Sequence, residues 1–234
     1  MTRVKVEHVT AYRGGELVLR DLDVEVKGQV VGFLGPSGVG KTTLLRILAG
    51  LERPDRGRVL VDGTPVRAGT VGVVHQCYPL FDHRTVLDNL VVAARAAGAS
   101  RDAARTRALA MLERFELADR AGAWPRELSG GQRQRVAILQ QLVRGHTFLL
   151  MDEPFSGLDP INKAKTCALI TEVARLDART TIIVVTHDIR EAVGIADTLW
   201  LMGREPGSAG ARIVETYERA TACASQIEAR FATL

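Results

Sequence analysis

Polar and apolar residues alternate along the start of the chain. Val4, Val6 and Val9 predict one strand, and Leu17, Leu19, Leu22, Val24 and Val26 predict a second whose alternation slips once. Together they predict an antiparallel edge sheet beside a core. The apolar run at residues 30–34 predicts a strand buried on both faces. Thr43-Leu44-Leu45-Arg46-Ile47-Leu48 predicts a helix directly after it, and residues 58–61 a strand closed by the Asp62-Gly63 turn. Residues 71–75 predict one more short strand, ending near Gln76. The pattern then changes: residues 85–145 carry helical periodicity and no clear strand. Ser100 caps one helix, with Asp102 in its first turn, and Ala104, Ala108, Met111, Leu112 and Phe115 line one of its faces. Continuous apolar runs return at residues 147–151 and 181–185, the second read as the last long buried strand. A polar loop at 203–210, a short strand at 212–215 and a closing helix follow. The prediction is a single α/β domain over residues 1–234. Residues 1–76 and 146–234 form the core, and an inserted α-helical subdomain spans 77–145.

Between the strand at 30–34 and its helix stands Gly35-Pro36-Ser37-Gly38-Val39-Gly40-Lys41-Thr42-Thr43, which fits G-x-x-x-x-G-K-[ST] in the strand, loop and helix context that motif requires. The glycines let backbone N–H groups turn toward a polyphosphate, and the helix N-terminus adds partial positive charge. Lys41 reaches the β- and γ-phosphates, and the Thr42 hydroxyl ligates Mg²⁺. The core is thus a P-loop NTPase core. The loop alone identifies a nucleotide phosphate without choosing among enzymes.

Composition narrows the partners. Aromatic residues make up only 5% of the chain, so stacking platforms are few, and the net charge of +4 is spread over scattered arginines with no nucleic-acid arm. No nucleic-acid partner is expected. Cys77, Cys167 and Cys223 are odd in number and lack metal spacing, which favours a reducing compartment. The alternating N-terminus reads as a strand and not a signal peptide, and no apolar run approaches a membrane span. A channel, if this chain serves one, belongs to another chain.

Three further constellations carry chemistry. Leu128-Ser129-Gly130-Gly131-Gln132 opens a helix, where the Ser129 hydroxyl and the Gly130 and Gly131 amides form a second anion site. A buried strand ends in Asp152-Glu153: Asp152 is placed for the Mg²⁺ shell, Glu153 to polarise a water for attack on the γ-phosphate. Ser156-Gly157-Leu158-Asp159 follows. His187 ends another buried strand, on the side where ligands bind in open parallel sheets.

With these motifs in this order, the chain resembles the nucleotide-binding subunit of an ABC transporter from about residue 4 to residue 214. In that family's terms, residues 35–42 look like Walker A, Asp152-Glu153 like the end of Walker B, Gln76 like the Q-loop, residues 128–132 like the signature, residues 156–159 like the D-loop and His187 like the switch histidine. Tyr12 stands where the family places an aromatic that stacks on adenine. The resemblance implies ATP and Mg²⁺ as cofactors. Glu153, His187, Gln76 and Lys41 are the catalytic set, and Thr42, Gln76 and Asp152 lie at the metal. It implies a second nucleotide-binding subunit, as a homodimer, closing head to tail over two ATP, so that Ser129, Gly130, Gly131, Gln132 and Asp159 complete the partner's site. Transmembrane permease subunits would dock near residues 77–90, a solute-binding protein would act indirectly, and the chain would sit peripherally on the cytoplasmic face of the inner membrane.

Glu153-Pro154-Phe155, Thr186-His187-Asp188 with Glu191-Ala192, Ala196-Asp197 and Pro206-Gly207 resemble the nitrate, sulfonate and taurine importer ATPases. The chain departs from that pattern at Gly157, Thr198, Asp82 and the run Ile138-Leu139-Gln140-Gln141-Leu142. A soluble ABC ATPase that does not transport, for example one of cluster assembly, and an ABC transporter of another substrate class stay open as alternatives. A GTPase is the weaker rival, since Asn162-Lys163-Ala164-Lys165 lacks the acid that guanine recognition uses. Residues 218–234 carry no metal or regulatory motif.

Overall fold

The computed structural model describes residues 2–27, 30–205, 207–219 and 223–233. Pro206 of the Pro206-Gly207 pair lies outside them, as do residues 220–222 and Leu234 of the tail. The chain divides into two compact units, Met1–Val73 with Thr147–Leu234, and Val74–His146. In chain order the first unit begins with β1 (Arg3–Arg13), β2 (Glu16–Lys27), β3 (Val30–Leu34), α1 (Lys41–Leu48), β4 (Arg56–Val61), β5 (Thr64–Pro65) and β6 (Gly72–Val74), whose last residue enters the second unit. The second unit holds α2 (Val86–Ala96), α3 (Arg101–Arg114) and α4 (Gly130–Val143). The first unit resumes with β7 (Phe148–Asp152), α5 (Pro160–Leu176), β8 (Thr181–Thr186), α6 (Ile189–Ile195), β9 (Thr198–Gly203), β10 (Arg212–Glu218) and α7 (Ala224–Phe231).

Two sheets build the first unit. One has the order β2-β1-β4-β5 and is antiparallel; the other has the order β10-β9-β3-β8-β7-β6. Within the second, β3 runs parallel to both β8 and β9, β7 runs parallel to β8, and β10 is antiparallel to β9. Every residue of β3, β8 and β9 is buried, which is why these strands read as unbroken apolar runs. Phe33 of β3 pairs in register with Trp200 of β9, ring edge to face at 4.8 Å; burying such a ring stabilises by roughly 2–3 kcal/mol. The sheets meet at Ala211, whose N–H donates to Val18 O and whose carbonyl accepts Arg20 N–H, both at 2.8 Å.

The slip in the β2 alternation has a local cause. Asp21 takes φ 46° and His8 of β1 takes φ 49°, and the β1–β2 register shifts on both sides of Val9. These bulges return Leu22, Val24 and Val26 to the inner phase. The His8 ring and the Asp21 carboxylate, 2.9 Å apart, close the bulge on its outer side. One expectation fails: the strand at 181–185 is not the last long buried strand. β9 follows it, because six residues from Thr198 to Gly203 pair with β3 and are fully buried.

The second unit is helical. Ser100 caps α3 through the Ala103 N–H at 3.3 Å, and Ala104, Ala108, Leu112 and Phe115 are buried along one face, with Met111 half-buried beside them. Its polar centre is Asn89 on α2, which is fully buried. Asn89 Oδ1 accepts the Phe81 N–H at 2.8 Å, and Nδ2 lies 3.2, 3.2 and 2.9 Å from the carbonyls of Phe81, Arg84 and Thr85. One side chain thereby fixes the turn at 81–85 that leads into α2. Gln140 Nε2 of α4 reaches the same Oδ1 at 3.4 Å. Ile138 and Leu139 of that atypical run are fully buried.

Candidate nucleotide and catalytic site

The loop from Gly35 to Gly40 leaves the end of β3 and turns into α1. Gly40 is the helix cap, with φ 113°. A Cβ there would stand 2.9 Å from side-chain atoms of both Val18 and Leu19, so conformation and space both require glycine. At Gly35 a Cβ would meet Val39 Cγ1 at 2.9 Å and the Met202 carbonyl at 3.0 Å. The loop is thus pressed against β2 on one side and β9 on the other. The first-turn amides of α1, from Lys41 through Thr43, have no acceptor within the helix. With the cap they form a cradle suited to phosphate oxygens. Pro36 O accepts the Val39 N–H at 3.3 Å, and Ser37 and Gly38 are exposed at the loop crest.

Lys41 Nζ folds back across the loop, donating to Gly35 O at 2.6 Å and Pro36 O at 3.2 Å, and lies 3.9 Å from Glu153 Oε1. Burial lowers its pKa, against the opposing pull of Glu153 and Asp152. An incoming anion would offset that desolvation by its opposite charge.

Glu153 follows β7 with φ 47°, a left-handed conformation unusual for a residue with a side chain. Its N–H is held by Val185 O of β8 at 2.8 Å. Its two carboxylate oxygens have separate surroundings. Oε2 accepts from Thr186 Oγ1 at 3.1 Å, from the His187 N–H at 3.3 Å and from the His187 ring Nδ1 at 2.9 Å. Oε1 faces the ammonium of Lys41. One oxygen is anchored and the other is presented to the phosphate loop, a geometry suited to taking a proton from water. Thr186 was not singled out as a site residue in the sequence. Its hydroxyl also accepts the Asp188 N–H at 3.0 Å. A hydroxyl closing an otherwise apolar strand, just before a histidine, was the available signal. Glu153, His187 and Asp188 bring possible metal ligands within 4.8 Å of one another, but Asp188 is paired with Lys163 at 2.5 Å.

Asp152 ends β7 and the exposed Thr42 lies in the first turn of α1. Hydroxyl and carboxylate are hard oxygen donors, and this donor set fits Mg²⁺ better than a softer metal. Tyr12 lies near the end of β1 with 43% of the residue's surface exposed, so it is not spent on core packing. It pairs across the ladder with Leu17, one residue from the Val18 that abuts Gly40. Asp159 is the cap of α5: its carboxylate accepts the N–H groups of Ile161 and Asn162 at 2.9 and 3.0 Å and the Asn162 side chain at 2.5 Å. Those bonds lower its pKa.

In the second unit, Gln76 and exposed Cys77 form the turn after β6. Ser129 caps α4 in a reciprocal box, its Oγ accepting the Gln132 N–H at 3.3 Å while Gln132 Oε1 accepts the Ser129 N–H at 3.0 Å. Ser129 and Gly130 are exposed, and beyond the neighbouring residues and the helix's own backbone no atom of the described residues lies within 4 Å of where a Cβ would stand on Gly130 or Gly131. The helix start is open to an outside ligand, with the Gln132 side chain committed to the cap.

A glycine-rich loop opening a helix at the end of a parallel strand, with an imidazole after the next strand and a carboxylate after the one beyond, defines a P-loop ATPase. The chain belongs to the ABC transporter family, whose pattern matches residues 19–156, and it binds and hydrolyses ATP. It is 46% identical over 191 residues to the aliphatic sulfonates import ATP-binding protein SsuB 3 of Rhodococcus jostii, covering 81% of this chain and 67% of that one. Among solved structures, cbiO1 from Clostridium perfringens, part of the ABC transporter complex cbiONQ, aligns with TM-score 0.83 at 27% identity, covering 98% of this chain and 92% of its own. The ATP-binding cassette MJ0796, in a dimeric post-hydrolysis state bound to ADP and Pi, aligns with TM-score 0.75 at 30% identity, covering 92% and 98%. Other relatives are named for import of methionine, sulfate or thiosulfate, and iron(III) at 38%, 40% and 41% identity, and the chain spans 66%, 56% and 58% of their lengths. Among the described residues no helix is long and apolar enough to cross a membrane.

Proposed function

We propose that this chain powers a bacterial importer of a small solute such as a sulfonate, nitrate or taurine, working as one of two copies on the cytoplasmic face of the inner membrane. The observation that carries the catalytic reading is the divided environment of the Glu153 carboxylate. ATP places its phosphates over residues 35–43, and Lys41 exchanges the carbonyls of Gly35 and Pro36 for phosphate oxygens. Tyr12 offers its exposed ring to the adenine. Thr42, Asp152 and Gln76 would hold Mg²⁺, which would supply charge neutralisation for the phosphates. Glu153 Oε1 takes a proton from the attacking water as the oxygen–phosphorus bond forms and the bond to ADP breaks. Thr186 and His187 Nδ1 keep the carboxylate aimed, and the other ring nitrogen of His187 is left for the γ-phosphate as it develops charge. Ser129, Gly130, Gly131 and Gln132 of a second copy, with its Asp159, close over the same ATP, so that ATP joins the copies and hydrolysis parts them.

Permease subunits dock on residues 77–90, where Phe81 is exposed and the backbone is pinned by Asn89. The relatedness to SsuB 3 supports the sulfonate class, whereas the methionine, sulfate and iron relatives make the solute a question for the binding protein. The test is a gentle detergent pull-down of tagged chain from native membranes with mass spectrometry. A multi-span protein at near-equal amount supports the importer. Soluble partners alone, with the chain absent from membranes, would overturn it.

A further inference from the structure

The first unit contains a cavity of about 570 Å³ that the nucleotide reading does not use. It lies between the C-terminal end of α1, the segment 50–59 and the β4–β5 hairpin. Its size falls within the range of small-molecule sites. Apolar groups of Ile47, Val59 and Val66 line part of it, and Arg53, Arg58 and Arg67 supply charge. The single acid in the lining, Glu52, is already paired with two arginines, Arg13 and, at 3.1 Å, Arg46. Arg58 is engaged by Glu7 at 2.6 Å. Arg53 and Arg67 have no carboxylate partner among the described residues. The cavity therefore has a surplus of guanidinium groups beside an apolar wall.

The segment that lines the cavity also fixes the backbone of Tyr12. The Tyr12 N–H donates to Asp55 Oδ2 at 2.7 Å, and Asp55 N–H donates to Thr10 O at 2.9 Å. The Tyr12 carbonyl accepts Arg13 Nη1 at 2.6 Å, while Arg13 Nη2 grips Glu52. Both peptide groups of Tyr12 thus answer to residues 52–55.

We infer that this cavity binds a small free organic oxyanion with an apolar body, held by Arg53 and Arg67, and that its occupancy clamps residues 52–55, and through their hydrogen bonds Tyr12, in the arrangement described above. Guanidinium forks match carboxylate-type oxyanions, and the apolar wall selects an organic ion over an inorganic one. A segment clamped in advance lowers the entropic cost of the next ligand, so occupancy tightens ATP binding. This second step rests on the reading of Tyr12 as the adenine platform.

The test is calorimetry on the whole chain with hexanoate as probe and hexanamide as its neutral control. Hexanoate is expected to bind saturably with Kd of about 1 mM or below, hexanamide not at all. The Arg53→Ala/Arg67→Ala double variant, melting like wild type, loses at least about tenfold in affinity, a difference of roughly 1.4 kcal/mol. The single variants Arg53→Gln and Arg67→Gln, each expected to lose severalfold, serve the same purpose should the double variant fold poorly. Equal binding of the two compounds, or undiminished affinity in the variants, would overturn the site. With hexanoate saturating, ATP Kd is expected to fall about threefold or more; no change overturns the link to Tyr12. Tyr12→Ala measured alongside separates the two readings: if it leaves ATP Kd unchanged without hexanoate, the adenine platform itself is the step that fails.

Discussion

The His187 ring and the Glu153 carboxylate are joined, Nδ1 to Oε2, at 2.9 Å, and the same oxygen accepts the Thr186 hydroxyl at 3.1 Å. If this anchoring aims the other oxygen at water, Glu153→Gln keeps ATP binding and ATP-dependent pairing but loses the base. Turnover is expected to fall by about a hundredfold or more, measured as phosphate release, with paired copies accumulating in gel filtration. Thr186→Val removes one hydrogen bond to a charged group and is expected to lower kcat by about tenfold with little change in KM.

Gly40→Ala meets both a forbidden backbone angle and two side chains at 2.9 Å. It is expected to cost about 1–3 kcal/mol in urea unfolding and to abolish measurable ATP binding by calorimetry, because the cradle amides move. Lys41→Ala, which leaves the backbone alone, is expected to lose ATP affinity without the stability loss.

Tyr12→Ala removes an exposed ring and little packing. Stability is expected to stay within about 0.5 kcal/mol, while ATP affinity falls about tenfold, as loss of one base-stacking platform predicts. Fluorescent nucleotide titration against thermal melting separates the two.

Glu7 links two strands' charges, its carboxylate bound by Lys5 and by Arg58 of β4, each at 2.6 Å. Those bonds, that of Lys5 first, pull its pKa from 4.5 to about 2. A depressed carboxylate stabilises the fold above its unfolded value, and the contribution is lost as pH falls from about 4.5 through about 2. Melting curves of wild type and Glu7→Gln are expected to differ at pH 6 and to converge near pH 2. A constant gap across that range would contradict the assignment.

Asn89→Leu strands the Phe81 N–H and three carbonyls that now share one buried amide. A loss of about 2–3 kcal/mol is expected. Hydrogen exchange should accelerate at residues 81–85 before it does in α3, which locates the damage at the turn.

The phosphate loop was legible because its motif has a single structural meaning, and β3, β7 and β8 because Gly35, Asp152-Glu153 and His187 close their apolar runs with recognisable chemistry. β9 was missed because Leu199-Trp200-Leu201-Met202 follows α6 after only Ala196, Asp197 and Thr198, and a short apolar run has no period to tell strand from helix. Asp159-Pro160 carries a plain helix-start signal, and the carboxylate does cap α5, although the sequence argument placed Asp159 only at the nucleotide. The partners of Glu153 could not be read, because they depend on β7 and β8 being neighbours, and pairing order is a property of the folded sheet. The cavity beside α1 was equally hidden: its arginines are scattered singly along the chain and gather only when the β4–β5 hairpin forms.

β8 stands between β3 and β7. The loop proposed to receive the phosphates and the carboxylate proposed to activate the attacking water therefore spring from strands two steps apart, roughly 9.6 Å at ordinary sheet spacing. That interval works as a gauge built from backbone hydrogen bonds. Surface segments can lengthen, and the solute served can change, without touching it. An extra strand in the middle of the sheet would take the acid out of reach in a single step.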